Sequence, residues 1–130
     1  MTPLQCDCPK CAAMCANSTC LPTPEEARAL IRAGYGSRLA TYRFQPDPER
    51  WAFVGPAPKG QEGARDLPHT MAGCTFFDGK HCELHDLGLK PLEGRLAHHT
   101  RPWQPIRLHM ATHWKGKQFQ SVLAMLETNK

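Results

Sequence analysis

The chain is 130 residues long with a net charge of +4, and 41% of its residues are apolar. That length suits one domain with a modest core, and the mild charge permits an acidic or nucleic-acid partner without requiring one. Twelve prolines and ten glycines predict a loop-rich fold that gains from an internal staple, and no apolar run nears the roughly 20 residues needed to span a bilayer.

The chain opens on a cysteine-rich arm, residues 1–22, holding Cys6, Cys8, Cys11, Cys15 and Cys20 of the seven cysteines. Its first residues, MTPLQCDCPK, lack the apolar segment of a secretory leader, which predicts a cytoplasmic protein without membrane contact. Disulfides are not maintained in a reducing cytosol, and seven is an odd number for a closed set of pairs. Metal ligation is therefore the leading reading of the arm.

Residues 23–34, TPEEARALIRAG, predict a capped helix. Thr23 suits the N-cap, Pro24 the first helical position, and Glu26 closes a capping box, while Gly34 supplies the stop. Ala27, Leu30 and Ile31 form its apolar stripe, and Arg28 and Arg32 share a solvated face. Residues 38–44, RLATYRF, read equally as a strand or a helix end. Residues 51–55, WAFVG, read as a short strand, and 55–69 as an aperiodic loop.

Residues 74–84, CTFFDGKHCEL, read as a β-hairpin turning at Asp78-Gly79, which would bring Cys74 and Cys82 to one end. Residues 85–99 are punctuated by Gly88, Pro91 and Gly94 and predict a structured loop. Residues 116–129 predict a C-terminal amphipathic helix, with Phe119, Val122, Leu123 and Leu126 on one face. The expected fold class is α+β: a small, loop-rich, metal-stapled domain (1–130) with a β-hairpin and two to four helices.

Thiolates bind zinc tetrahedrally at about 2.3 Å, commonly as short loops that give two ligands each. Cys8-Pro9-Lys10-Cys11 is such a C-x2-C unit, with Cys6, Cys15 and Cys20 around it and Cys74 and Cys82 as a distant second group. Iron–sulfur is the rival chemistry. The arm carries C-x-C-x2-C-x3-C, which shares two gaps with the bacterial ferredoxin run but places its proline after Cys8. His81-Cys82-Glu83 lacks the P-C-x-x-C that zinc deaminases need after it. No phosphate loop or nucleophile motif assembles, so no catalytic residue is assigned. His109 and His113 stand at i, i+4, a spacing that suits either a structural pair or a second metal site.

The cysteine run ahead of a P-x-E-E-A helix, followed by CTFFDGKHCELH, resembles the YkgJ-type cysteine-cluster proteins, which are grouped as zinc- or iron-chelating. Cys6, Cys8, Cys11 and Cys15 match that family's N-terminal cluster. Cys74, Phe76, Phe77, Gly79, Cys82 and His85 match its middle segment. Lys90-Pro91-Leu92-Glu93-Gly94-Arg95 aligns with its closing R-P-x-x-C-R, and Gly94 stands where that motif has cysteine. Cys20, or a histidine such as His85 or His98, is the expected replacement. The resemblance implies a metal site, zinc first and iron or an iron–sulfur cluster second. The expected function is a metal-binding accessory or interaction module with a protein partner, and an iron–sulfur redox protein is the first alternative. A zinc-stapled nucleic-acid binder is the remaining alternative, suggested by the net charge and the Arg28/Arg32 face.

Overall fold

The capping box at Thr23 forms. The Thr23 hydroxyl accepts from the Glu26 amide at 3.2 Å, and the Glu26 carboxylate accepts from the Thr23 amide at 2.9 Å. Such a cap contributes about 1 kcal/mol, and it starts α1, Pro24–Arg32. Gly34 ends the helix at φ 95°, where the Gly34 and Tyr35 amides donate to the carbonyls of Ile31 and Leu30. That is a Schellman termination, and glycine is the residue that reaches this φ without strain. These elements belong to a computed structural model that describes residues 17–43, 52–68, 73–80, 82–97 and 100–128.

After a 3-10 turn at Gly36–Arg38, the segment that sequence left open between strand and helix forms a strand, β1, Leu39–Arg43. It pairs antiparallel with β2, Ala52–Pro56, in a register that sets Thr41 opposite Val54 and Tyr42 opposite Phe53. The loop expected at 55–69 returns along the free edge of β1. The Leu39 carbonyl accepts from the Gly63 amide, Thr41 exchanges bonds with Ala64 and Leu67, and the Arg43 amide donates to Leu67. This edging satisfies the outer backbone groups of β1 without hydrophobic alternation, because backbone rather than side chains makes the contact. Asp66 takes a positive φ of 55° there, with its amide held by the Thr41 hydroxyl at 2.7 Å.

The 74–84 segment departs from the expected hairpin. A turn does form at Asp78-Gly79, where the Asp78 carboxylate accepts from the Lys80 amide and Gly79 has φ 102°. Among the described residues, the Phe77–Cys82 bridge alone closes it. Cys74 pairs instead with Pro58 of the returning loop, and Cys82 leads directly into α2, Glu83–Asp86. The physical reason lies in the returning loop, which takes up the backbone groups before the turn: the Thr75 amide donates to the Ala57 carbonyl and the Lys59 amide to the Gly73 carbonyl. Phe76 and Phe77 are both buried beside it. Arg38 holds the segment: its guanidinium lies 4.1 Å from the Phe76 ring centroid and bonds the Thr75 carbonyl and the Glu83 carboxylate.

Three further helices follow: α3, Leu92–Leu96; α4, Trp103–Thr112; and α5, Gln118–Thr128. The described residues thus form a small mixed domain with one antiparallel hairpin and five α-helices, consistent with α+β. The helix count exceeds the two to four expected because α2 and α3 are single turns between Gly and Pro, too short to show a period. The C-terminal helix predicted at 116–129 is α5, with residue 129 outside the described residues. It buries Val122 and Leu126 and packs on α1 and β2. Among the described residues, no helix is long and apolar enough to cross a membrane.

The main core joins Leu21, Leu30, Leu39, Val54, Phe53, Phe76, Leu84 and Trp114. A smaller cluster, Leu96, Ile106 and Met110, seals α3 against α4. Trp114 meets Phe53 edge to face at 5.8 Å, and its indole N–H donates to the Pro22 carbonyl at 3.0 Å. It therefore ties the end of α4 to the end of the cysteine arm. Trp114→Phe removes that donor and leaves a buried carbonyl unpaired, so we expect a loss of about 1–3 kcal/mol, read as a lowered urea midpoint at unchanged slope.

Candidate functional site

The last residues of the cysteine arm are pinned one by one. The Thr19 hydroxyl donates to the Tyr42 hydroxyl at 3.2 Å, which in turn donates to the Pro56 carbonyl at 2.5 Å. The Leu21 amide donates to the Glu93 carboxylate at 3.1 Å, and the Leu21 carbonyl accepts from the Glu93 amide. Pro22 accepts from Trp114. These partners lie more than twenty residues away in sequence, so tertiary contacts hold this stretch in place.

Two glycines make room for it. A Cβ on Gly55 would stand 2.9 Å from Pro22 Cδ and 3.1 Å from a Leu21 methyl group. A Cβ on Gly94 would stand 2.9 Å from Cys20 Sγ and 3.3 Å from Cys20 Cβ. The distance to sulfur is one that real Cβ atoms essentially never show, and the distance to carbon is tighter than most, so the missing side chain at 94 is the space that the Cys20 thiol fills. The Lys90 side chain borders the same notch, with its Cε 3.0 Å from the Gly94 Cβ position.

Glu93 governs this corner. It is 7% exposed and accepts from the Arg107 guanidinium through Nε at 2.6 Å and Nη2 at 2.9 Å, besides the Leu21 amide. Burial pushes its carboxyl above the ordinary glutamate value, and the Arg107 charge and these N–H donors oppose that rise. Tyr42 is likewise pushed far above the ordinary tyrosine value, chiefly by burial. The Thr19 bond opposes that rise, and nearby Cys74 adds to it. Tyr42 therefore has Thr19, next to Cys20, on one side and Cys74 within electrostatic reach.

Of the predicted ligands, Cys6, Cys8, Cys11 and Cys15 lie outside the described residues, as do His81 and His98. Cys74 and Cys82 are buried thiols, Cys20 is a half-buried thiol, and His85 is exposed on α2. Among the described residues, no three His, Cys, Asp or Glu side chains come together closely enough to hold a metal ion. Arg28 bonds Glu25, Gln118 and Ser121, so it serves the α1–α5 contact instead of presenting a cationic face with Arg32. Glu26 has a second role that sequence did not reveal. Beyond its cap, it accepts from the Leu92 amide and pairs with Arg95 at 2.6 Å, clamping α1 to α3.

Thr19, Tyr42, Glu93 and Arg107 were not legible as site residues. Their bonds span long separations, and no local spacing announces them. The one available signal was Gly94, a residue without a side chain in a motif where a thiol is expected. The chain matches no family model, no curated protein and no solved structure, so the resemblance rests on its motifs alone.

Removing Arg107 would leave the Glu93 carboxylate buried without its charge partner. We expect Arg107→Met to cost about 3 kcal/mol near neutral pH. The sign of its pH dependence follows from the raised carboxyl. A folded-state value above the unfolded one gives stability that is present at low pH and lost as pH rises through the folded value. The deficit of the variant relative to wild type should therefore shrink between about pH 7.5 and about pH 5 in urea unfolding. A deficit that is constant across that window contradicts a buried, orphaned carboxylate.

Proposed function

We propose that this protein is a small zinc-binding accessory module, with donors from two stretches of the chain closing the four-coordinate shells of one or two zinc ions. Cys6, Cys8, Cys11 and Cys15 supply the arm cluster, and Cys74 and Cys82 supply ligands from the turn segment. Cys20 takes the place of the thiol that the resemblance expects at position 94, and His85 is the candidate nitrogen donor. The metal is mainly structural. It supplies folding free energy to a chain rich in loops, and the folded module presents a surface to a larger protein partner.

The observation that carries this reading is the fit of Cys20 Sγ into the space over Gly94. The chain lacks a thiol at 94 and carries an extra one at 20, and the two positions meet in space. The donor chemistry suits zinc, since sulfur ligands with a nearby imidazole favour a tetrahedral ion that undergoes no redox change. Zinc bound by such a set lowers the proton affinity of the thiols, so loading releases protons.

Elemental analysis and an absorbance spectrum on protein purified without oxygen test the proposal. We expect stoichiometric zinc, no visible colour, and loss of at least about 3 kcal/mol of unfolding free energy on chelation. A metal-free protein whose stability ignores the chelator contradicts it. Stoichiometric iron with visible absorbance would reassign the thiols to a cluster that transfers electrons.

A further inference from the structure

We propose a second metal site, independent of the thiols, at the C-terminal end of α4: His109 and His113 together chelate a borderline divalent cation such as zinc or nickel. His109 lies in the last turn of α4 and His113 is its C-cap residue in helical conformation, so the i, i+4 spacing is realised on one face. Their rings stand 5.1 Å apart between centroids at an interplanar angle of 89°. Two imidazoles that bind one tetrahedral ion through nitrogens at about 2.0–2.1 Å have centroids roughly 5 Å apart, so the rings stand at chelating separation, and rotation of one ring out of its edge-to-face setting turns both nitrogens toward one ion.

The surroundings favour a cation. The negative end of the α4 dipole lies here. Burial and the neighbouring His109 hold His113 below the ordinary histidine value, which favours the neutral imidazole that a metal needs, and the Glu26 carboxylate opposes that shift. His113 is exposed and His109 half-buried, so an ion can enter and keep water in its remaining positions. Imidazole suits zinc, nickel and copper(II) and discriminates against magnesium and calcium, which prefer oxygen. The same i, i+4 pair of histidines on a helix is the element by which zinc-dependent proteases hold their metal.

The test is a calorimetric titration of the full chain with zinc chloride, after the thiol-bound metal has been counted by elemental analysis. Wild type should take up one further zinc ion beyond that count. His109→Ala and His113→Ala should each weaken the added event about tenfold or more, because losing either ring removes the chelate advantage. Thermal melts without added zinc check that both variants fold as wild type does, as expected for side chains at an exposed helix end. Retained affinity in either variant, or no uptake beyond the thiol-bound metal, overturns the proposal. A chain lacking thiol-bound zinc that still binds at the histidines would sink the thiol reading and leave this one standing.

Discussion

A single buried carboxylate holds this corner of the molecule together. Glu93 accepts the Leu21 amide and both arms of the Arg107 guanidinium, and so it joins the end of the cysteine arm, α3 and α4 at one point. Burying an ion is expensive, and the cost is recovered only when its partners are complete. Here they are, which makes the position of residues 19–22 a consequence of charge satisfaction as well as packing. Whatever the arm carries ahead of residue 17 is therefore launched from a fixed anchor.

Around that anchor, small residues decide how closely the chain can approach. Gly55 lets Leu21 and Pro22 lie against β2, and Gly94 lets Cys20 lie against α3. Neither glycine has the positive φ of a turn residue, so both are explained by space and not by backbone freedom. The other half of the predicted ligand set is held by different means. Arg38, stacked on Phe76 and bonded to Thr75 and Glu83, fixes the turn between Cys74 and Cys82. Tyr42 is bonded to Thr19, the neighbour of Cys20, and to the Pro56 carbonyl of β2.

What could be read from sequence was local. The capped helix at 23–34 was legible because Thr23, Pro24, Glu26 and Gly34 each act on neighbours within one turn. The C-terminal helix was legible from its apolar period. The strands at 39–43 and 52–56 were legible only in part, since both faces of this hairpin are buried and alternation is lost. Of the hairpin read at 74–84, the turn at Asp78-Gly79 and an antiparallel bridge between Phe77 and Cys82 form, whereas the flanks obey tertiary packing. The polar network of Thr19, Tyr42, Glu93 and Arg107 left no trace in local spacing. The vacancy at Gly94 and the surplus thiol at Cys20 were both visible, but their meeting in space was not.

Moving the thiol between those two positions tests the central claim most directly. Cys20→Ala should lower the zinc content of the purified protein, and Cys20→Ala combined with Gly94→Cys should restore it, since the sulfur returns to the same notch from the other side. Cys20→Ala with full zinc content, or a double variant that folds but stays as depleted as the single one, would contradict the claim that Cys20 stands in for a ligand at 94.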